Sequence, residues 1–190
     1  MISINIWPYT IYIRVINMNN NTFVHKYLST LLHKEDVVVD MTLGNGNDTF
    51  FLASRVKHVY GFDIQKEAII NSKKRCQGFG NITYVLDNHL NFDSYIQEDV
   101  SLFVFNLGYL PKSNNQIITQ ADNSLKTLIK AYSFLKKGYI IISFYRGHKG
   151  GKDEFYLLDK YLSFNNIPII EKYQEHKRFD EPLTYIIKKG

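Results

Sequence analysis

The chain has 190 residues, 45% of them hydrophobic, which is enough for one domain with a sizeable core and argues against disorder. A formal charge of +5 is a moderate basic bias, compatible with a nucleic-acid partner or with a lysine-rich solvated surface. The single cysteine excludes an internal disulfide and a paired-cysteine metal site, so we expect no metal and a reducing, cytoplasmic setting.

The first 17 residues are apolar and aromatic but contain Pro8 and Arg14. They lack the basic start and the cleavage site of a signal peptide, and they are too short and interrupted to span a bilayer. We therefore predict no membrane partner. We expect an N-terminal extension over 1–17, either a strand added at a sheet edge or a loose segment, followed by one domain over 18–190.

Helical and strand patterns alternate along the rest of the chain. Apolar residues at helical spacing predict helices over 22–33, 48–56, 65–76, 124–135 and from 150 to about 162. Short apolar runs predict strands at 37–40, 59–63, 82–86, 100–105 and 139–145, with a terminal antiparallel pair at 167–173 and 183–188. This order predicts an α/β fold whose mostly parallel, seven-stranded sheet carries helices on both faces and ends in an antiparallel hairpin.

The stretch VVVDMTLGNGND places a carboxylate and a two-glycine turn directly after the first buried strand. Gly44 and Gly46 permit a tight turn and close approach of a ligand to the backbone, and the helix that follows presents free N–H groups. Sheets of this kind bind ligands beyond the carboxyl ends of their strands. We interpret the stretch as the binding loop of a nucleotide-type cofactor.

The acidic residues at the strand ends indicate which cofactor. Asp63 can accept hydrogen bonds from both hydroxyls of a ribose, as in sites for nicotinamide dinucleotides and for S-adenosylmethionine. Thr49 breaks the G-x-G-x-x-G pattern of dinucleotide loops, and Asp40 suits the cationic amino-acid end of S-adenosylmethionine better than a pyrophosphate. Asp87 could accept from an adenine amino group, although all three carboxylates have a helix-cap or turn alternative. We predict S-adenosylmethionine and keep a nicotinamide cofactor as a remote alternative.

Two further segments follow the fourth and fifth strands. Asn106 can accept a hydrogen bond from an amino group and direct its lone pair at a methyl donor, and Tyr109 can stack on a base, although Asn and Gly also favour plain turns. In YRGHKGGK, His148 could accept a proton or order the loop. Arg146, Lys149 and Lys152 could bind a phosphate. We expect the other histidines, His89 apart, to lie on the surface.

Four segments in order, VDMTLGNGNDT, GFDIQ, NLGYLP and YRGHKGGKDE, resemble a bacterial family of class I methyltransferases labelled rRNA methylases. Within that family the chain resembles the tRNA 5-(aminomethyl)-2-thiouridine methyltransferases, over about 22–189. The resemblance implies a Rossmann-like fold and S-adenosylmethionine as cofactor. It also implies N-methylation of the wobble base to 5-methylaminomethyl-2-thiouridine, with the tRNA anticodon stem-loop as partner.

The residues and the resemblance together define the predicted site. The cofactor-binding set is Asp40, Thr42, Gly44, Asn45, Gly46, Asn47, Asp48, Thr49, Asp63, Gln65, Asp87, His89 and Asn106. The catalytic set is Asn106, Tyr109, Tyr145 and His148, and the RNA-binding set is Tyr109, Arg146, Lys149 and Lys152. The segment 176–182 departs from the family pattern of an Asn-Gln pair and a double proline, so we assign it no substrate contact.

Other functions stay open on the sequence alone. The chain could methylate rRNA, a protein or a small molecule, or it could be a catalytically silent module of the same fold that binds a nucleotide or RNA. Mass spectrometry of nucleosides from a deletion strain would distinguish a tRNA enzyme from these other methyltransferases. Only the loss of a tRNA enzyme would leave an unmethylated aminomethyl base in the tRNA. The oligomeric state is not given by the sequence, and a homodimer is compatible with it.

Overall fold

The computed structural model describes residues 2–6, 9–13, 18–107, 117–175, 178 and 180–190. Its strands are β1 (Ile2–Ile6), β2 (Tyr9–Ile13), β3 (Val37–Asp40), β4 (His58–Asp63), β5 (Ile82–Leu86), β6 (Leu102–Leu107), β7 (Gly138–Phe144), β8 (Ile169–Gln174) and β9 (Leu183–Lys189). Its α-helices are α1 (Asn20–Leu31), α2 (Asn47–Ala53), α3 (Lys66–Arg75), α4 (Ile117–Phe134) and α5 (Gly151–Phe164). A short 3-10 helix spans His89–Ser94.

The strands form one mixed sheet in the order β1-β2-β8-β9-β7-β6-β3-β4-β5. The five strands from β5 to β7 are parallel, and β9 runs antiparallel between β7 and β8. These seven strands are the predicted sheet with its antiparallel end. Because β3 pairs with β4 on one side and β6 on the other, the chain reverses its direction of winding there, and a ligand crevice is expected at that point.

The hairpin of β1 and β2 adds two strands at the β8 edge, through a parallel pairing of Ile13 with Lys172. Both strands fall within the predicted extension 1–17. The division of the chain into that extension and one domain over 18–190 stays a prediction. Among the helices described, none is both long and apolar enough to cross a bilayer.

Two apolar layers, one on each face of the sheet, form the core. Val37 and Val39 face the layer that contains residues of α4 and α5, whereas Val38 faces the layer that contains residues of α1 and α2. All three valines are buried because helices cover both faces of the strand. This explains why β3 reads in the sequence as an uninterrupted apolar run.

Three element boundaries differ from prediction in ways that matter for the site. Helix α4 begins at Ile117 rather than 124, because its first turns, IITQADN, are largely polar after two isoleucines and carry no sustained apolar periodicity. The 3-10 helix was missed: its cap Asn88 accepts from the Leu90 N–H at 2.9 Å, in a stretch that reads as a turn. Asn106 was expected just after a strand, but it lies inside β6, opposite Ser143 of β7.

Candidate active site at the carboxyl edge of the sheet

The loop after β3 is fastened to both neighbouring strands. The Met41 N–H donates to the Val104 carbonyl of β6, and the Leu43 N–H donates to the Phe62 carbonyl of β4, each at 2.9 Å. Gly46 ends the loop at φ +75°, and a Cβ built there would lie 2.3 Å from Ser72 Oγ of α3. Only glycine fits, so the loop lies against α3 and the first turn of α2 follows directly.

Asp63, at the end of β4, joins this loop to the start of α3. Its two carboxylate oxygens accept from the N–H groups of Gly44 and Gln65, each at 2.9 Å. The contact with Gln65 is an Asx-turn just before α3 and not a helix cap, because the N-cap residue of α3 is Gln65 itself. A carboxylate offers more lone pairs than these two bonds use, so Asp63 can still bind a ribose hydroxyl as well.

Asp40 is buried under the loop, with 1% of its surface exposed. It accepts from the Thr49 hydroxyl at 2.7 Å and from the Thr42 N–H at 3.1 Å. Burial, and after it the neighbouring carboxylate of Asp48, raise the pKa of Asp40 to about 7. A cation bound close to this carboxylate would favour its ionised form, so the site suits a positively charged ligand.

Asp48, in the first turn of α2, connects three elements. Its Oδ1 lies 2.7 Å from His25 Nε2 of α1, and its Oδ2 accepts from Asn106 Nδ2 of β6 at 2.7 Å. The Asn106 backbone N–H donates to the Thr42 hydroxyl at 2.8 Å. His25 was expected on the surface, yet it is half-buried and stacks on Phe51, with ring centroids 4.1 Å apart. No sequence motif marks His25; only its place on the apolar side of a predicted helix hints at it.

His89 and Asp87 are both predicted to bind the cofactor, but they differ in whether a hydrogen-bonding atom of the side chain is available to a ligand. His89 Nδ1 contacts the Met41 carbonyl at 3.1 Å, and its buried Nε2 has no hydrogen-bond partner among the residues described. Burial lowers the pKa of His89, so its ring is neutral near pH 7. That nitrogen is therefore available to a ligand, since buried polar atoms are normally paired.

The Asp87 carboxylate instead forms its hydrogen bonds with residues of the 3-10 helix and the positions that flank it. It accepts from the Tyr95 hydroxyl at 2.8 Å and from the Asn88 N–H at 2.6 Å, and the Tyr95 bond is the main cause of its lowered pKa. Asn91 Nδ2 lies 3.2 Å from each carboxylate oxygen. These are the turn contacts that the sequence offered as the alternative role. An adenine contact by Asp87 stays a prediction.

The loop after β7 separates into an anchored part and an exposed part. The Tyr145 hydroxyl donates to Asn21 Oδ1 of α1 at 3.1 Å. Arg146 is buried, with its guanidinium 5.1 Å from the Phe155 ring centre and Nη2 donating to the Glu181 carbonyl at 3.0 Å. In the structure this side chain ties the loop to the C-terminal hairpin, and the phosphate contact by Arg146 stays a prediction. His148, Lys149 and Lys152 are exposed.

Three further predicted site residues, Asn45, Asn47 and Tyr109, differ in how far the structure locates them. Asn45 and Asn47 are exposed, and the Asn45 carbonyl accepts from Arg75 Nε at 2.7 Å. Tyr109 lies outside the described residues, so its predicted stacking is not located. Within the described part of the chain, no group of three or more His, Cys, Asp or Glu side chains could hold a metal ion.

Solved structures share this fold over most of the chain. A "putative methyltransferase" from Streptococcus mutans in complex with SAH has a TM-score of 0.80 and 29% identity, covering 91% of this chain and 99% of that one. A "putative rRNA-methylase" from Clostridium thermocellum also has a TM-score of 0.80, with 33% identity and coverage of 91% and 98%. The fold and the loop geometry thus define the class: this is a Rossmann-like, class I, S-adenosylmethionine-dependent methyltransferase.

The family follows from the sequence comparisons. The family model described as "Putative rRNA methylase" matches residues 59–185. The chloroplastic tRNA (mnm(5)s(2)U34)-methyltransferase of Arabidopsis thaliana is 35% identical over 161 residues, which cover 73% of this chain and 57% of that protein. The chain therefore spans little more than half the length of this relative. It belongs to the rRNA methylase family, and the predicted fold class, resemblance and cofactor are confirmed.

The residues present fit S-adenosylmethionine on structural grounds. The turn at Gly46 leaves no room for a side chain, Asp63 stands between two loops at the edge, and Asp40 would gain from a nearby cation. Within the part of the chain that the structure describes, the buried Nε2 of His89 has no hydrogen-bond partner, so it adds a polar atom that a ligand could bind. When bound, S-adenosylmethionine supplies an electrophilic methyl carbon on a positively charged sulfur. Which side chain contacts which part of it stays a prediction.

Proposed function

We propose that this methyltransferase acts on tRNA and methylates the primary amine of wobble 5-aminomethyl-2-thiouridine. The observation that carries the proposal is the orientation of Asn106. Its Nδ2 donates to Asp48, and its backbone N–H donates to Thr42, so its side-chain oxygen is the atom left to accept a hydrogen bond. An amide oxygen held in this way can orient an amino group. The name of the Arabidopsis relative supports the same base as substrate.

The acceptor must be an uncharged amine when it attacks. A primary alkylamine is mostly protonated near pH 7, so a proton must leave before or during transfer. The new N–C bond forms as the donor C–S bond breaks, the sulfonium becomes a neutral thioether, and the proton passes to a base. We assign that role to His148, on the exposed loop after β7, because the free nitrogen of a neutral imidazole can accept a proton. Asn106 would hold the nitrogen in line.

The polyanionic partner would contact the basic side of the edge. Lys149 and Lys152 are exposed beside the site, and the whole chain has a formal charge of +5. Phosphate contacts of this kind would hold the anticodon stem-loop, while Tyr109 would stack on the extruded base. A homodimer and a cytoplasmic location are further predictions, tested by light scattering and by cell fractionation.

Nucleoside mass spectrometry tests the proposal in cells and in vitro. A strain without this gene should accumulate 5-aminomethyl-2-thiouridine in its tRNA, and purified protein with S-adenosylmethionine should convert that base to its methylated form. Intact rRNA and total protein from the same strain serve as competing acceptors. Methyl transfer to either of these, with none to the tRNA, would replace the tRNA assignment with the corresponding alternative.

Calorimetry with S-adenosylmethionine tests the remaining alternative, a catalytically silent module. An enzyme should bind the cofactor with a defined stoichiometry. A module that binds only RNA should not bind it. Titration with a nicotinamide dinucleotide provides the matched negative control, because Thr49 and Asp40 disfavour a pyrophosphate in this loop.

A further inference from the structure

The His25 imidazole, the Asp48 carboxylate and the Asn106 carboxamide form a continuous chain of hydrogen bonds. Both links measure 2.7 Å, and one oxygen of Asp48 is used for each. The chain crosses from α1 through α2 to β6, joining residues that are 23 and 58 positions apart. Asp48 is 13% exposed and His25 27% exposed, so solvent competes little for the carboxylate.

We infer that His25 is a positioning residue for methyl transfer, acting on Asn106 through Asp48. Asp48 can only accept in these bonds, so His25 donates from Nε2–H and Asn106 donates from its NH₂ group. The second bond fixes which way the Asn106 amide faces. Its oxygen, the acceptor for the substrate amine, thereby becomes the free end of the chain.

His25 itself is held from two sides. Its ring stacks on Phe51 of α2 at an interplanar angle of 10°, while Nε2 is bound to Asp48. Helix α1 in turn is fixed beside β7 and β9, because the buried Asn20 side chain donates to Ser143 at 3.1 Å and accepts from Thr184 at 2.7 Å. The imidazole therefore has a fixed place from which to orient the carboxylate.

A purely structural role for Asp48 would look different. A carboxylate in the first turn of a helix usually stabilises it by facing the free backbone N–H groups there. In the residues described, both Asp48 oxygens instead bind side chains from other elements. A charged acceptor that satisfies two donors orients them more strongly than a neutral one, because such bonds are shorter and about twice as strong.

The test uses His25 rather than Asp48, because Asp48 also raises the pKa of Asp40 and a change there would disturb the cofactor half of the site. His25→Phe keeps a ring against Phe51 and removes the bond to Asp48. We expect kcat for the tRNA base to fall about tenfold, with the Kd of S-adenosylmethionine unchanged within twofold. His25→Gln, which retains an N–H donor, should recover most of the loss.

Combining variants distinguishes positioning from an independent effect. If His25 acts through Asn106, His25→Phe in an Asn106→Ala background should cause no further loss of kcat. Losses that multiply would overturn the inference, as would a normal kcat in His25→Phe. Should His25→Phe fail to fold, His25→Ser replaces it at this half-exposed helix position, with the same expectation.

This inference rests on the proposed function, in which the acceptor is an amine. A second experiment therefore observes Asn106 directly, in protein without substrate. The side-chain ¹⁵N amide signals of Asn106, identified by their loss in Asn106→Ala, should move in His25→Phe and return toward the wild-type position in His25→Gln. Unmoved signals would overturn the inference. If instead the wild-type protein methylates no aminomethylated tRNA while the signals behave as expected, the proposed function fails and the positioning chain stands.

Discussion

The carboxyl edge of the sheet has two halves that are built differently. In the predicted cofactor half, at the tips of β3, β4 and β5, a ten-residue stretch from the end of β3 to the first turn of α2 supplies Asp40, Gly44, Gly46 and Thr49. Asp63 binds this stretch at Gly44, 19 positions away. In the acceptor half, at the tips of β6 and β7, Tyr145 reaches Asn21 across 124 positions, and Asn106 reaches Asp48 across 58. One half is a local motif, whereas the other exists only when distant segments meet.

The halves also differ in charge. The cofactor half carries the three carboxylates of Asp40, Asp48 and Asp63, and the acceptor half carries exposed lysines at 149 and 152. A cationic cofactor and a polyanionic RNA would be attracted to opposite sides of one crevice. The difference indicates that cofactor affinity and RNA affinity can be changed separately.

The largest expected effect comes from filling the turn at Gly46. Gly46→Ala would put a Cβ 2.3 Å from Ser72 Oγ and 2.9 Å from Ser72 Cα, at a φ of +75°. Left-handed strain and overpacking together should cost about 3 kcal/mol and distort the loop. We expect loss of cofactor binding by calorimetry and a lower midpoint in urea. Gly80→Ala, with no neighbour within 4 Å, is the control and should change neither.

Next in size is the loss of the Asp63 carboxylate. Asp63→Ala removes the acceptor of the Gly44 and Gln65 N–H bonds together with the predicted ribose contacts. Hydrogen bonds to a charged group contribute about 1.5–3 kcal/mol each, so the Kd of S-adenosylmethionine should rise roughly 100-fold. The KM for tRNA should stay nearly constant, as measured at saturating cofactor. A comparable rise in both constants would show that the halves are not separable.

A smaller effect concerns pH and Asp40. Its pKa of about 7 lies above the unfolded value of 3.8, so its contribution to stability is complete below pH 3.8 and is lost as pH rises through about 7. A bound cation favours the ionised form, so cofactor binding near pH 7 should release a proton. Between pH 6 and 8 the affinity should therefore rise by up to about tenfold in total, with most of the rise below pH 7.

Calorimetry in buffers of different ionisation enthalpy measures that proton directly. Asp40→Asn keeps the shape of the side chain without its charge, so the proton release should disappear and the affinity should no longer depend on pH in this range. Proton release that persists in Asp40→Asn would assign the titration to another group and refute the role of Asp40.

The smallest expected effect is on RNA binding. Lys149→Glu reverses one exposed charge of the acceptor half, so the KM for tRNA should rise roughly threefold and its dependence on salt should weaken. Cofactor affinity should not change. Lys136→Glu is the matched control, since Lys136 is exposed at the amino end of β7, on the opposite edge, where it pairs with Asp99 at 2.7 Å. An equal rise of the KM for tRNA in both variants would indicate only a general electrostatic attraction between the RNA and the protein, and no specific contact at Lys149.

Much of the backbone of the predicted cofactor half could be predicted from the sequence, whereas the cofactor contacts of its side chains stay predictions. Strand β3, the glycine turn and Asp63 follow from a short motif, and β3 and β5 have the predicted bounds. The 3-10 helix was not predictable, because its Asp87-Asn88 start has the composition of a turn and its anchor Phe92 is buried only by tertiary packing. The sequence predicts a phosphate contact for Arg146, but it does not show that the Glu181 carbonyl and the Phe155 ring lie against its guanidinium.

By itself, the sequence determined the α/β order, the glycine turn after the first strand of the domain and the family, because short-range apolar periodicity and a contiguous motif encode them. The tertiary structure alone decided that His25 and Asp48 stand behind Asn106, and that Asp40 has a raised pKa. The hydrogen bonds of Asp48 and the raised pKa of Asp40 both depend on which distant segments pack around these carboxylates and exclude water from them. That exclusion arises when α1, α2 and β6 pack together, and no local pattern of residues records it.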